Sequence, residues 1–499
     1  MSTSRSSFLR VSGSQIVDGS ASPVRLHGIG LAGWLTMENW ITGFPGHEDG
    51  QRTSVRHVLG PELCDFFFDR FIEHFFTEAD AAYLASLGFN MVRIPFHYRF
   101  LESDDAPFEI QPDGFKHLDR VIRQCADHGI FTILDLHVVP GWQNSDWHCD
   151  NPTHTAQFWR QRVFQDRVIN LWKAIASHYR NEPWVVGYNP INEPADPTAE
   201  KVGPYYLKLV ETIREIDQDH IIFLDGNRYA HDFHIFGEPL PNVVYSPHDY
   251  PPPGFTPGAR YPGVMQPMHV VAAEEGKKTD PAAAARDWGT TRYWGAEAVE
   301  QDFLSRIEYM RRTGTPIVVG EFNAIFTGEP EVDQGRADLL TDQLSIYRKY
   351  RASWTYWSYK DIGVAAPLML AQDSLWMQRV RPIVEKKSRL AVDLWGGVPG
   401  NIAHILDPVR EVFQKEFPDF SPFPWGAEFM IKRLIPQILF SEAMLPEFGE
   451  VFRGMTEETI DEMMRSFRLE NCIPRKPLVA LLRQAASADA EADVSPPER

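Results

Sequence analysis

The sequence has few cysteines and fewer basic than acidic residues. Its 499 residues include no CxxC pair and only four cysteines: Cys64, Cys125, Cys149 and Cys472. A disulfide-rich scaffold and a cysteine-rich zinc site are therefore not expected. Lys and Arg number 49 against 68 Asp and Glu, which gives a formal net charge of −19. An acidic surface of this kind makes nucleic acid a poor partner and disfavours contact with anionic membranes.

Long apolar segments are also missing. No run of about 18 uncharged apolar residues occurs, so we expect no membrane-spanning helix. The first residues, MSTSRSSFLRVSGS, lack the apolar region of a secretory signal. We therefore expect a cytoplasmic protein, and association with membranes is disfavoured but left open.

Aromatic residues, by contrast, are frequent, with 14 Trp, 16 Tyr and 32 Phe. Most of them are expected in a packed core. Where aromatic residues share loops with Asn, Asp and His, they suit neutral hydroxylated ligands such as sugars. Ring faces can stack on a sugar ring while the polar groups bind its hydroxyls.

Short apolar runs alternate with helical stretches along the first three quarters of the chain. Such runs are typical of parallel strands covered on both faces, and their alternation with helices builds βαβ units. The predicted strands are Arg25–Leu31, Phe89–Pro95, Ile130–His137, Trp184–Asn192, Ile221–Asp225, Val243–His248, Pro316–Glu321 and Ser353–Ser358. Eight such units close into a (β/α)₈ TIM barrel. An open doubly wound sheet is the alternative, and it is disfavoured because no glycine-rich phosphate turn follows a strand.

The domain organisation follows from where the strands stop. We predict a barrel over residues 1–378, with a small hairpin at Leu9–Val17 and a lid-like insertion at about 251–291. A helical extension over 379–483 is predicted to pack on the barrel. Within it, Phe429–Phe440 is expected to face the barrel, with a membrane or partner surface as the alternative. Residues 484–499 form an acidic low-complexity tail that we predict to be disordered.

Polar side chains stand at the carboxyl ends of the predicted strands, where the active sites of such barrels lie. They are Arg93, His137, Asn192, Glu193, His248, Tyr250, Glu321 and Trp357. In a barrel these side chains would converge on one cavity. Glu193 and Glu321 both directly follow apolar strands, and paired carboxylates are what glycoside hydrolysis requires. One protonates the leaving oxygen, and the other attacks the anomeric carbon or activates water.

Glu193 stands in the motif Ile191-Asn192-Glu193-Pro194. Together with VRIPF (92–96), LDLH (134–137), HDY (248–250), VVGEF (318–322) and WTYWSYKD (354–361), this motif resembles glycoside hydrolase family 5 over about residues 9–362. The resemblance implies a retaining β-glycosidase of clan A that needs no metal or other cofactor. It also implies that Glu193 is the acid/base and Glu321 the nucleophile. Pro190 and Ala195 depart from the family pattern, and we expect a bulge near Pro190 because proline cannot donate to a strand ladder.

The neighbours of the two carboxylates receive roles from the same resemblance. Arg93 is expected to pair with Glu321 and keep it ionised, and Tyr250 to donate to the same carboxylate. Asn192 is expected to bind the sugar 2-hydroxyl. His137 and His248 are expected to line the floor of the sugar subsite, and Trp357 is expected to offer a ring face to the sugar.

The loop after the third strand, VVPGWQNSDWHCDN (138–151), resembles loops that close one end of the cleft in exo-acting β-glucanases of the family. Its candidates for binding the sugar or the first leaving-group position are Trp142, Gln143, Asn144 and Trp147. Glu38, Asn39 and Glu48, in the loop at 33–48, are further candidates for contacts with hydroxyls. A zinc site of His148, Cys149, Asp150 and His154 is disfavoured because their spacing matches no common zinc site.

The sequence thus predicts a carbohydrate-active enzyme, most simply an exo-acting retaining β-glycosidase of β-glucosides or other short glycosides. One alternative is an endo-β-1,4-glucanase with an open cleft. Another is a β-glycosidase of ceramide- or sterol-linked glycolipids, with an apolar site formed by the C-terminal helices. A catalytically inactive carbohydrate-binding barrel is disfavoured because both carboxylates are present.

Overall fold

The structure is a computed structural model that describes residues 8–256, 258–265, 292–393 and 399–494. Most of the predicted lid-like insertion at 251–291 therefore lies outside the described residues. The flanks of this insertion are described, and Gly263–Met265 pairs there with Arg292–Trp294 as a small antiparallel sheet.

Eight parallel strands form the predicted barrel. We number them β1 to β8 in chain order: His27–Gly30, Met91–His97, Phe131–Val138, Val185–Asn189, Ile221–Asp225, Val243–Ser246, Val318–Phe322 and Ser353–Trp357. Strands β1 to β6 pair in sequence, and β8 lies between β7 and β1. Isolated parallel bridges from Tyr245 to Ile317 and from His248 to Glu321 join β6 to β7 and complete the ring. The carboxyl ends of all eight strands consequently meet at one face.

The predicted hairpin is formed by Arg10–Ser12 and Gln15–Val17. It contributes Leu9 and Ile16 to an apolar cluster with side chains from inside the barrel, among them Met91 of β2. Each such side chain contributes roughly 1.5–3 kcal/mol when it is fully buried. The hairpin therefore belongs to the barrel core.

Helices surround the barrel. Their bounds are Asn39–Thr42, Glu48–Leu59, Pro61–Phe75, Glu78–Ser86, Lys116–Asp127, Arg162–Tyr179, Val202–Arg214, Asn227–Ala230, Ala296–Arg306, Glu308–Thr313, Pro330–Lys349 and Leu375–Arg389. A capping box opens Glu78–Ser86, because the backbone N–H of Thr77 donates to Asp80 at 2.7 Å. The two helices over 48–75 were not predicted. Short 3₁₀ turns occupy Tyr98–Phe100, Trp147–Cys149, Pro252–Gly254, Pro399–Ile402, Arg465–Phe467 and Leu469–Asn471.

The C-terminal extension is helical, as predicted. It comprises Ala403–Glu416, Gly426–Lys432, the π-helix Arg433–Phe440, Ser441–Glu450, Glu457–Met464 and Lys476–Val494. Ser441–Glu450 packs on Glu48–Leu59, and Glu457–Met464 packs on Pro61–Phe75. Strand Cys472–Pro474 pairs with Leu368–Leu370 beside Lys360–Asp361. Among the residues described, no helix combines the length and apolar character that crossing a membrane requires.

The acidic tail differs from the prediction of disorder over 484–499. Helix Lys476–Val494 continues through most of it, and residues 495–499 lie outside the described part of the chain. Asp489 is buried and accepts hydrogen bonds from Arg25 Nη1 at 2.9 Å and from Trp354 Nε1 at 3.0 Å. Arg348 Nε lies 3.2 Å from the same carboxylate. Composition indicated disorder wrongly because one buried carboxylate with these donors fixes the last helix to the barrel.

We expect Asp489→Ala to lower the free energy of unfolding by about 3–5 kcal/mol, because Arg25 would lose its buried carboxylate partner. Urea unfolding followed by circular dichroism measures the change. Glu211→Ala, at an exposed site on helix Val202–Arg214, is the control and should change stability by less than about 0.5 kcal/mol. Equal losses in the two variants would show that Asp489 does not anchor the last helix.

Candidate active site

Side chains from seven barrel strands, or from the residues that directly follow them, meet in one buried cluster at the carboxyl ends of the strands. Each of its members is at most 7% exposed: Arg93, Asp135, His137, Asn189, Asn192, Glu193, Asp225, His248, Glu321 and Trp357. Parallel strands that close into a barrel bring such distant residues together. The cluster holds the predicted pair of glutamates, and it adds two carboxyl groups, Asp135 and Asp225, that were not singled out from the sequence. The signal for them was present, since both stand at the ends of apolar strands.

Arg93 organises this cluster. Its Nη1 donates to Glu321 Oε1 at 2.6 Å, so the predicted pairing is present. Its Nη2 donates to Asn189 Oδ1 at 2.9 Å and to Asn192 Oδ1 at 2.7 Å. Asp135 Oδ2 lies 3.0 Å from the same Nη2. Arg93 therefore orients two asparagine amides as well as the carboxylate of Glu321.

Glu321 receives donors on both carboxylate oxygens. Tyr250 donates its hydroxyl to Oε2 at 2.8 Å, opposite the bond from Arg93 to Oε1. Both donors favour the ionised form of Glu321, and burial opposes them. Burial raises the pKa of Glu321 above its ordinary value, and the opposing effects of His248 and Arg93 do not fully offset it.

Glu193 lies between two histidines. His248 Nδ1 is 2.6 Å from Oε1, and His148 Nε2 is 3.2 Å from Oε2. Burial raises the pKa of Glu193 well above its ordinary value, and the charges of Asp225 and Asp146 raise it further. These surroundings favour the protonated acid.

The backbone at Glu193 is held in an uncommon conformation. Its φ of 46° lies in the left-handed region that non-glycine residues seldom adopt. The N–H of Glu193 donates to Asp225 Oδ2 at 2.9 Å, and its carbonyl accepts from Asn144 Nδ2 at 3.0 Å. The bulge expected at Pro190 lies elsewhere: β4 ends at Asn189, and the register shift against β3 falls near its start.

The two glutamates are close enough to act on one bond. One carboxyl oxygen of Glu193, one ring nitrogen of His248 and one carboxyl oxygen of Glu321 all lie within 4.8 Å of one another. Such a spacing could admit a metal ion, but each of the three groups already has a hydrogen-bonding partner within the cluster. These contacts within the cluster account for the three groups without a metal ion.

The floor of the cluster is aromatic. The rings of His137 and Trp357 stack with centroids 5.2 Å apart and an interplanar angle of 12°. Gly30 makes room for this stack, because a Cβ there would come within 2.5 Å of the Trp357 ring. Glu38 accepts from Trp357 Nε1 at 3.1 Å and from Trp40 Nε1 at 2.7 Å. Burial raises the pKa of Glu38 to about 8.

The four candidates in the loop at 138–151 differ in their surroundings. Gln143 Nε2 donates to the carbonyls of His137 and Asn192, at 2.6 and 2.9 Å. Asn144 bonds the Glu193 backbone, so both amides hold the loop onto the strand ends. Trp147 is buried beneath the guanidinium of Arg433, and Trp142 is half-buried.

The zinc interpretation of this loop does not fit the contacts. Cys149 Sγ donates to backbone carbonyls of Asn144 and Asp146. Asp150 lies 3.0 Å from His47 Nδ1 and from His97 Nε2, and it also pairs with Arg99. These bonds tie the loop to the segment after β1 and to the end of β2.

The C-terminal extension reaches the same loop. Arg433 Nη1 lies 2.7 Å from Asp146 Oδ1, and its Nε donates to the carbonyl of Ser145 at 2.8 Å. Trp425 packs against Tyr229, with ring centroids 5.9 Å apart. The extension thus supports the wall beside Glu193, and sequence spacing could not reveal a contact between residues 288 positions apart.

Comparison with known proteins agrees with this geometry. The family described as cellulase (glycosyl hydrolase family 5) matches residues 49–363. A beta-xylosidase of Phanerodontia chrysosporium is 40% identical, over 97% of this chain and 99% of that protein. Endoglucanase C of Acetivibrio thermocellus is 27% identical, over 59% of this chain and 85% of its own. The structure of Thermotoga maritima Cel5A is 21% identical, with a TM-score of 0.43, over 57% of this chain and 83% of that one.

The fold and the buried carboxyl pair define a glycoside hydrolase. More specifically, the chain belongs to glycosyl hydrolase family 5, as its family match and its 40% identical relative show. The resemblance carried by the INEP motif and the ordered strand ends is confirmed.

We expect Arg433→Ala to lower kcat/KM by roughly 10- to 100-fold. The loop at 138–151, which lies beside Glu193, would lose its buried ion pair and hydrogen bond to the extension. Steady-state kinetics on an aryl β-glycoside measures the effect. Arg410→Ala, which removes the bonds to Asp407 and Glu428 in the same extension, is the matched control and should keep kcat/KM near the wild-type value. Similar losses in both variants would indicate general unfolding of the extension.

Proposed function

We propose that this family 5 enzyme is an exo-acting retaining β-glycosidase in which Glu321 is the nucleophile and Glu193 the acid/base. The observation that carries the proposal is the unequal surroundings of two carboxyl groups. One oxygen of each lies within 4.8 Å of the other. Glu321 accepts from a guanidinium and a phenol, which favour the carboxylate. Glu193 lies near Asp225 and Asp146, whose charges favour the neutral acid.

The reaction proceeds in two displacements. In the first, a carboxylate oxygen of Glu321 bonds to the anomeric carbon while the glycosidic C–O bond breaks and Glu193 gives its proton to the leaving oxygen. In the second, Glu193 takes a proton from a water molecule, whose oxygen attacks the anomeric carbon and displaces Glu321. Each step inverts the carbon, so the product keeps the β configuration.

The remaining residues of the cluster position the sugar. Arg93 holds the Oδ1 of Asn192, and the Nδ2 of Asn192, which lies 3.3 Å from His137 Nε2, has a second hydrogen for the sugar 2-hydroxyl. The stacked rings of Trp357 and His137 offer an apolar face beneath the sugar ring. Because the pKa of Glu38 is about 8, this group is mostly protonated at neutral pH and adds little negative charge beside the nucleophile.

Exo action is supported by the walls around the carboxyl pair. Asp150 ties the loop at 138–151 to the segment after β1, and Arg433 ties it to the extension. A wall fixed on these sides suits the end of a glycan or a short glycoside rather than an inner bond of a long chain. The beta-xylosidase match spans the extension, whereas the endoglucanase match covers 59% of the chain.

A glycolipid substrate is a second candidate because the extension exposes apolar side chains. The exposed fraction is 39–60% for five of them: Val412, Phe417, Phe420, Leu434 and Leu439. Such side chains could contact an apolar leaving group or the surface that carries it.

The test is a panel of p-nitrophenyl β-glycosides: glucoside, xyloside, mannoside, fucoside and cellobioside. We expect one or more of the monosaccharide glycosides to be cleaved, and proton NMR should show the β-anomer as the first-formed sugar. An initial α-anomer would refute the retaining mechanism. Release of intact cellobiose with no cleavage of the monosaccharide glycosides would favour endo action, and preference for glucosylceramide or a steryl glucoside in vesicles would favour the glycolipid alternative.

The two glutamates are distinguished by their alanine variants. Glu321→Ala should lose essentially all turnover, and azide should restore product of inverted configuration. Glu193→Ala should retain much more activity on dinitrophenyl glycosides than on alkyl glycosides, because a phenol of low pKa leaves without a proton. Equal losses of Glu193→Ala on both leaving groups would contradict its assignment as the acid.

A further inference from the structure

His148 is a buried ring beside Glu193 whose role the double displacement does not require. It lies on the 3₁₀ turn Trp147–Cys149 in the loop after β3, and its Nε2 is 3.2 Å from Glu193 Oε2. His148 was considered from the sequence only as part of a zinc site. Its ring also packs edge-on against His137, with centroids 5.7 Å apart, and against Tyr229 at 6.0 Å. Both contacts hold the plane of the imidazole.

Asn144 determines which atom of His148 carries a proton. Its Oδ1 accepts the backbone N–H of Asp146 at 2.9 Å, and its Nδ2 donates to the carbonyl of Glu193 at 3.0 Å. The amide therefore cannot be flipped without losing both bonds. The same Nδ2 lies 2.9 Å from His148 Nε2, where it must be a donor. His148 Nε2 consequently carries a lone pair, and the ring proton is on Nδ1.

A lone pair on Nε2 has a consequence for Glu193. A carboxylate oxygen at 3.2 Å would place two lone pairs against each other, whereas the proton of a protonated Oε2 can share the Nε2 lone pair with Asn144 Nδ2. The other oxygen, Oε1, lies 2.6 Å from Nδ1 of His248. His148 thus favours a protonated Oε2 over a carboxylate oxygen at this position.

We propose that His148 is a positioning residue that accepts a hydrogen bond from the protonated Oε2 of Glu193. This bond keeps the acid/base protonated and oriented before the substrate binds. The inference rests on the assignment of Glu193 as acid/base. When the glycosidic oxygen takes this proton, the unfavourable contact between the carboxylate and Nε2 remains until Glu193 accepts a proton from water. His148 therefore supports both the acid and the base step without touching the sugar.

Other charged groups also surround Glu193. The carboxyl groups are Asp135 on β3, Asp225 on β5, Glu321 on β7, Asp146 in the loop after β3 and Glu38 in the loop after β1. The cation Arg93 is on β2, and Arg433 of the extension pairs with Asp146. His148 itself stays neutral, because burial lowers its pKa to about 3. Its effect on Glu193 is therefore a directed hydrogen bond rather than a charge.

Two variants test this role. His148→Phe keeps a flat ring but removes the acceptor, and His148→Gln retains an oxygen near the position of Nε2. We expect His148→Phe to lower kcat/KM by roughly 10- to 100-fold on alkyl glycosides and by less than about threefold on dinitrophenyl glycosides. The basic limb of its pH–rate profile should move to lower pH, because the protonated acid loses its acceptor. His148→Gln should recover most of the alkyl-glycoside activity.

A double-mutant cycle separates this role from a structural one. In the Glu193→Ala background, His148→Phe should cause little further loss, because its effect passes through the missing carboxyl. His154→Phe, in the same loop, is the control and should keep the wild-type leaving-group dependence. Equal losses of His148→Phe on both leaving groups, or an undiminished loss in the Glu193→Ala background, would overturn this inference alone. A wild-type enzyme that cleaves no β-glycoside would overturn the proposed function as well.

Discussion

Burial of several carboxyl groups around one guanidinium is the constraint on which the active end of this barrel depends. Asp135, Asp225 and Glu321 all act on Arg93, and each is at most 4% exposed. Taking such charges out of water costs several kcal/mol per ion unless their partners are well placed. Arg93 meets that requirement by giving one nitrogen to Glu321 and the other to Asn189, Asn192 and Asp135. Removing Arg93 would leave buried carboxyl groups without their shared cation.

The same constraint separates the two glutamates chemically. Both are buried, and burial raises the pKa of each. The difference lies in what surrounds them: Glu321 accepts from Arg93 and Tyr250, whereas Glu193 has Asp225 beneath its backbone and a histidine beside each oxygen. Two groups of one residue type can therefore take opposite roles, since each role needs a different protonation state.

The barrel and the members of the cluster could be predicted from the sequence because both follow from short-range patterns. Apolar runs of strand length define β1 to β8, and polar residues at their ends must meet once the barrel closes. Glu193 and Glu321 were found in this way, as were Arg93 and Tyr250. The bulge was misplaced because proline restricts a ladder only where the ladder continues, and β4 ends one residue before Pro190.

Contacts that join distant segments could not be predicted in the same way. Composition marks residues 484–499 as polar and of low complexity, yet Asp489 is buried against Arg25, 464 positions away. His148 has no strand-end signal, and its role depends on the orientation of the Asn144 amide, which only the hydrogen-bond network fixes. Gln143 and Asn144 were candidates for sugar binding from the loop sequence, and their amides donate to backbone carbonyls at the strand ends.

The C-terminal extension supports one wall of the active site. Its helices from Ser441 onward share one apolar core with the helices after β1, so this part is not a separable module. Arg433 holds the turn before Trp147, and that turn carries His148 against Glu193. A contact at the far end of the chain therefore fixes the ring that faces Glu193. The extension stabilises the fold through its apolar face, and through Arg433 it supports the loop that places His148 beside Glu193.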